Sequence, residues 1–414
     1  MIQKIENNAN NLLQRFPTVK KIVKRSYQLF MYAISPKIKF EGNIIRISPD
    51  DGMEYFFGYY DKSPWDISDR YILCLRAKNT YKSPAPDEPA EIVLFDTKNN
   101  NSMKILGKTH SWNVQQGCML QWLGPDFSER IIYNDFRDGN YCSVILNIKT
   151  MEEKVLPKPI YSVSNDGKFA LTLDFSRLHR LRKGYGYSNL PDEYKDEECP
   201  DRPCIWYVDL EDGDVKPILK YTDFANFETR EEMIGAVHKV NHIMINPSGN
   251  RFMVLHRWIK GTKKYTRLVT ANVDGTDMYN LNDDNMTSHC CWKNDNEILA
   301  YAYKEREGYG YFLLKDKSNV YERKWPELLK DGHPSYSPDG KMVVTDTYPD
   351  KTRMSTVYLL KEDKCKKVAR VFAPFKYDND VRCDLHPRWN RNGDMICIDS
   401  AFEGRRGLYV INLR

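Results

Sequence analysis

Seven times along this chain an aromatic or apolar residue is followed by a turn rich in Ser, Pro, Asp, Asn and Gly, and then by a run of β-forming residues. Two copies make the phrase plain: HPSYSPDG at residues 333–340 and HPRWNRNG at residues 386–393. The anchors are Trp65, Trp122, Val163, Ile245, Trp292, Tyr336 and Trp389, spaced 41 to 57 residues apart except for one interval of 82. Within an interval the pattern reads as four short strands, as around the first anchor, where an inner strand expected to end at Trp65 is followed by residues 71–75, 91–95 and 103–106. Repeats of this size built from four strands stack radially and bury a continuous core only as a set. The expected fold is all-β: a seven-bladed β-propeller with a short N-terminal amphipathic helix, divided into residues 1–37 and 38–414. Aromatic residues, 13% of the chain with 27 Tyr, suit half-buried strands.

The last repeat offers three strands, over residues 382–389, 395–400 and 407–413. A lone extended segment over residues 38–47 has no partner nearby in sequence, and is expected to supply the missing strand and close the ring without an open edge. The long interval holds an insertion over residues 177–203, read as a rim or lid over one face or as a solvated excursion.

Three residues before each anchor stand Lys62, Met119, Ile160, His242, His289, His333 and His386. First strands of successive blades line the channel, so residues at equal phase are carried round the axis at similar height. Four consecutive histidines at one phase are therefore expected to converge. A single such histidine commonly packs or bonds to backbone, but packing alone does not require four imidazoles. Imidazoles on one wall can hold a divalent metal, and one left free can serve as a base near neutral pH. Asp384, two residues before His386 and on the same side of its strand, would add a carboxylate oxygen.

The formal charge of +5 is uneven: residues 1–47 carry nine Lys and Arg against two Glu, which leaves the remainder slightly negative. A nucleic-acid partner has no support in the propeller. The basic residues cluster on a segment, 18–34, whose apolar positions follow the helical period up to Ser35 and Pro36. Such a helix suits peripheral contact with an anionic membrane, Lys20, Lys21, Lys24 and Arg25 facing headgroups, or packing on the propeller's flank or a partner. The start of the chain lacks a secretory pattern, no apolar run is long enough to span a bilayer, and ten cysteines include no Cys-x-x-Cys pair. These features predict a cytoplasmic protein with reduced thiols, with the inner membrane face as a peripheral location. No Gly-x-Ser-x-Gly nucleophile elbow is present, which argues against the gate of a serine peptidase.

At the histidine repeats the chain resembles the oligogalacturonate lyases, seven-bladed propellers that cleave uronate oligosaccharides by β-elimination with manganese in the channel. The resemblance is carried by Asn241-His242-Ile243 through His256, by Ser288-His289-Cys290-Cys291-Trp292, and by Val381 to Pro387. It implies that His242 is the catalytic base, that the cofactor is a divalent metal, Mn²⁺, and that the partner is a uronate-containing oligosaccharide or polysaccharide. The family's last-blade motif, Gln-x-x-His-x-His-Pro, departs here at Val381 and Asp384, so the implied metal set becomes His289, His333, Asp384 and His386. For the family's arginine in blade 3, Arg202 is the candidate substitute. Lys62, Arg382 and the insertion's Arg180, Arg182 and Lys183 are candidates for other carboxylates, or solvated surface charge. Val381 and Asp384 keep open a second reading, a non-catalytic propeller that binds an anionic glycan or a protein.

Overall fold

A computed structural model describes residues 17–34, 39–362 and 364–414. Ser35 and Pro36, Ile38, and Lys4, Arg15 and Lys37 of the basic set lie outside those residues, as do the side chains of Lys20, Lys21 and Lys24.

Seven antiparallel sheets form a seven-bladed β-propeller, each blade carrying one anchor in chain order. The second and third strands are apolar on both faces because each blade is sandwiched between two others. Arg251–Lys260 in blade 4, for example, has every residue from Arg251 to His256 buried. The ring is closed by the segment after residue 38, which is two strands rather than one. Ile44–Arg46 pairs with Gly407–Asn412 and completes blade 7, whereas Phe40–Gly42 pairs with Lys364–Phe372 and gives blade 6 a fifth strand.

The inner strands are shorter than the sequence pattern suggests. In blade 1 the inner strand is Glu54–Phe56; residues 57–64 then leave the sheet, and Trp65 rejoins it only as a bridge to Ile72. In blade 7 it is Arg388–Trp389 alone. The cause is a bulge at the axis, visible in the longer inner strands as register shifts at Asn241/Met244 and Thr287/Cys290. Met119, His242 and His386, all at the same repeat phase, have left-handed backbones with φ of 57°, 57° and 44°. A side chain in that region costs roughly 1–2 kcal/mol, so the surroundings must hold it there.

Polar clamps between blades do so. Asn134 exchanges two hydrogen bonds with the backbone of Ile160, at 2.7 and 2.8 Å, tying blade 2 to the bulge of blade 3. Asp346 of blade 6 accepts from the His386 backbone in blade 7, and Asp399 of blade 7 accepts from the backbones of Phe57 and Gly58 in blade 1. Gly58 has φ of 117° and lies so close to Gln116 that a Cβ would stand 2.7 Å from its carbonyl, so only glycine fits.

The insertion begins as a helix, Phe175–Leu181, capped by Asp174. Arg177, fully buried, fastens the rest by donating to the carbonyls of Tyr194, Glu197, Glu198 and His238. Beyond the helix, Gly184 passes so near the Asp380 carbonyl that a Cβ would lie 2.5 Å from it. The insertion is thus an ordered cover running from blade 3 toward blade 7.

Pro17–Ile34 forms a helix that touches the propeller through Arg25, paired with Asp378, and Tyr32, stacked on Phe372. No helix among the described residues is long and apolar enough to cross a membrane. All ten cysteines are free, eight of them buried.

Candidate functional site

The bulges bring the four histidines together. Going round the axis, ring centroids are 5.6 Å apart from His242 to His289, 4.1 Å from His289 to His333 and 4.3 Å from His333 to His386. All four are buried. Inside this arc stand two tyrosines delivered by the segment that leaves blade 1. The Tyr59 ring meets His242 at 5.2 Å and His386 at 5.1 Å, and its hydroxyl bonds to His242 Nε2. Tyr60 meets His333 at 5.3 Å, and its hydroxyl both donates to and accepts from the backbone of Cys290.

Carboxylates orient the imidazoles. His289 Nδ1 lies 3.0 Å from Asp331, whose other oxygen accepts from Ser288. His333 Nδ1 lies 2.7 Å from Asp346. Burial pulls the His333 pKa down, but Asp346, with Asp384 and Asp331 behind it, outweighs burial and holds it above the ordinary value. His386 and His242 have no such partner; burial, then the charges around them, push both well below it.

The Nε2 atoms of His333 and His386 are buried without hydrogen-bond partners. Those two residues and Asp384 present ligand atoms within 4.8 Å of one another. Two imidazole nitrogens and a carboxylate oxygen are a donor set that fits a divalent ion. His289 adjoins His333 but lies outside that cluster. Asp384 is at the same time held by Arg382 through both oxygens, the second bond 2.9 Å, and the guanidinium lies 4.1 Å over the Tyr348 ring. Burial raises the Asp384 pKa, but Arg382 outweighs it and keeps the carboxyl ionised.

His242 is set by its backbone. Its N–H donates to the Tyr161 hydroxyl at 3.1 Å, which also accepts from Gln116 at 2.8 Å. The insertion covers this side, with Tyr185 edge-on to Tyr59 at 6.2 Å.

Two expected residues are elsewhere. Lys62 pairs with Asp61 at 2.6 Å and lines a cavity of about 310 Å³, with residues beside the anchors, that none of the four histidines lines. Arg202 is exposed against Tyr194, on an outer pocket of blade 3. Of the insertion's cations Arg180 pairs with Asp192, Lys183 is exposed, and Arg182 lies 4.0 Å over Tyr185. Tyr59, Tyr60, Asp331 and Asp346 were not singled out by the repeat. One signal was available: Asp346 and Asp399 each follow their anchors by ten residues.

No family model matches this sequence, and no curated protein matches it. Solved structures do. An oligogalacturonate lyase in complex with manganese superposes with a TM-score of 0.64 over 90% of this chain and 93% of that one, at 17% identity. An oligogalacturonate lyase from Vibrio parahaemolyticus superposes with 0.62 over 91% and 96%, at 12% identity. This chain has the oligogalacturonate lyase fold. At such identity the likeness shows the fold alone, and the chemistry rests on this chain's own residues.

Proposed function

We propose that the protein is a metal-dependent lyase that cleaves a uronate-containing glycan by β-elimination. The observation that carries this reading is the pairing, at one point of the channel, of a metal-suited cluster (His333, Asp384, His386) with a neutral imidazole outside it, His242. The manganese complex on the same fold supports manganese as the ion. His333 and His386 would hold it through Nε2 and Asp384 through an oxygen. Bound there, the ion supplies stabilisation for negative charge developing on the substrate carboxylate.

His242 does the proton chemistry. Burial keeps it uncharged, so it can accept the proton from C5, next to the uronate carboxylate. The pair left at C5 forms the C4–C5 double bond, and the C4–O bond breaks with its pair on the glycosidic oxygen, which is then protonated. The Tyr59 hydroxyl bonds to His242 Nε2 and orients the ring, and the substrate must displace it for that nitrogen to accept the proton. The test is incubation with Mn²⁺ and a panel of uronate oligosaccharides, read by the ultraviolet absorbance of a 4,5-unsaturated product. His242→Ala should abolish the signal with metal content intact; loss of metal would mean that His242 is a ligand.

One observation favours a second reading, a propeller that binds an anionic glycan or a protein without chemistry. Arg382 already satisfies both oxygens of Asp384, an internal cation where a metal would sit. Absence of product across the panel together with absence of bound metal selects it.

For the N-terminal helix we propose peripheral contact with an anionic bilayer, at the cytoplasmic face. Its polar side meets Asp378 through Arg25, while Val19, Ile22, Val23, Leu29, Phe30 and Ile34 are exposed, and it contains no acidic residue. The full chain should sediment with phosphatidylserine-containing vesicles and not with phosphatidylcholine alone, and Ile22→Asp with Phe30→Asp should remove that binding.

A further inference from the structure

Beside His242 stand three cations that no carboxylate of the described residues neutralises. Lys239 and Arg257 are directly opposite across the first two strands of blade 4, and Arg182 arrives from the insertion. Lys239 Nζ donates to the carbonyl of Leu181, the residue before Arg182, at 3.2 Å. Arg177, Arg180, Arg251, Arg382 and Arg388, by contrast, each have an acidic partner. Next to the three cations, and two residues along the strand from Lys239 on the same face, Asn241 is fully buried with neither amide atom bonded; Arg257 Nε is likewise buried and unbonded.

Lys239 is buried and Arg182 and Arg257 are half-buried, Arg257 with its Nε closed off from solvent; withdrawing such charges from water without a partner is costly, and holding like charges together more so. The strain is visible in both groups: burial and then Arg182 bring Arg257 down to about 10, while burial and then Arg257 and Arg182 push Lys239 well below its ordinary value. The arrangement makes sense as one completed by a ligand. Its position fits, because Arg182 and Arg257 also act on His242, and Tyr185 beneath Arg182 packs on Tyr59.

We infer that Arg182, Lys239 and Arg257, with the Asn241 amide, form an oxyanion subsite for a second acid group, carried by the sugar next to the one whose carboxylate meets the His333, Asp384 and His386 cluster. This rests on the lyase reading, and it assigns recognition of the second acid group to these four residues. A ligand with one acid group would leave three cations beside His242 without a counter-charge.

Two measurements on the full chain test the subsite. In metal-free protein at low salt, inorganic sulfate should raise the melting temperature of the wild type, with a half-saturating concentration about tenfold or more higher in Arg182→Gln and in Arg257→Gln. Without sulfate, Arg257→Gln and Lys239→Met should melt above the wild type, since each removes repulsion; a cation with a merely structural role would melt lower. Equal sulfate responses in wild type and both arginine variants would overturn the subsite. In metal-loaded His242→Ala protein, a uronate disaccharide should bind about tenfold or more tighter than the monosaccharide, and Arg257→Gln should erase most of that difference. A sulfate response that depends on the arginines, with binding of neither sugar, would keep the oxyanion site and sink the uronate reading.

Discussion

Asp346 grips His333 twice with one oxygen, accepting its backbone N–H at 2.9 Å and its Nδ1–H at 2.7 Å. The ring is thereby fixed with Nε2 toward the axis, and the other oxygen takes the His386 backbone N–H. One carboxylate orients two candidate ligands. Asp346→Asn should weaken divalent-metal binding by about 10–100-fold, measured by equilibrium dialysis with Mn²⁺.

The same contact sets a pH dependence. His333 is held above the usual imidazole value, mainly by Asp346 against the pull of burial, and a metal must displace the Nε2 proton. Metal affinity should therefore start to fall at a pH above about 6.5, where a free imidazole would still be neutral. In Asp346→Asn that proton competes less, so the deficit relative to wild type should narrow as the pH falls.

Arg382 and a metal compete for Asp384. Replacing the guanidinium by Gln should raise metal affinity while lowering the stability of metal-free protein. An uncompensated buried carboxylate costs about 3–5 kcal/mol, and with Arg382 27% exposed against 3% for Asp384 the lower end applies. Urea denaturation with and without Mn²⁺ would measure both effects. Unchanged metal affinity in Arg382→Gln would mean that Asp384 is not a ligand.

Behind the site, in blade 4, His256 and His238 form a relay whose tautomers are determined. Arg267 Nε–H donates to His256 Nδ1 at 3.1 Å, so His256 Nε2–H donates to His238 Nδ1 at 2.9 Å, and His238 Nε2–H donates to Met233 at 3.0 Å. A further proton on either ring breaks a bond, and burial lowers both pKa values. The unfolded chain takes those protons first, so the stabilisation is complete above about pH 6.5 and lost as pH falls toward the folded values. His256→Gln should be less stable than wild type at pH 7.5, with the gap closing by pH 5 in denaturant titrations.

Gly58→Ala should cost more than the roughly 1–3 kcal/mol of a strained backbone alone, because the added Cβ meets the Gln116 carbonyl. Tyrosine fluorescence during unfolding should report it, since Tyr59 and Tyr60 follow directly.

The blades were legible because anchors, turns and strand runs recur at local spacing. The expected runs at residues 71–75, 91–95 and 103–106 lie within the strands Tyr71–Ala77, Ala90–Asp96 and Ser102–Thr109. The histidines were legible for the same reason, since a shared phase becomes a shared place once the ring closes. Lys62 shows where phase counting fails. It holds the histidine phase by number, but residues 57–64 have left the sheet, so Tyr59 and Tyr60 reach the axis and Lys62 lines another cavity. Asp331 and the cations Lys239 and Arg257 escape the repeat because they belong to one blade each. Asp384 was legible, but its capture by Arg382 depends on side-chain packing that spacing does not encode.

The split closing segment has a consequence for biosynthesis. Ile44–Arg46 leaves the ribosome long before Gly407–Asn412, with which it pairs, and Phe40–Gly42 likewise waits for Lys364–Phe372. Such sequence separation makes closure a late step, with two strand edges open to other chains until then. His386 and Tyr59 meet only across that seam, so the site and the seal of the ring come into being in the same event.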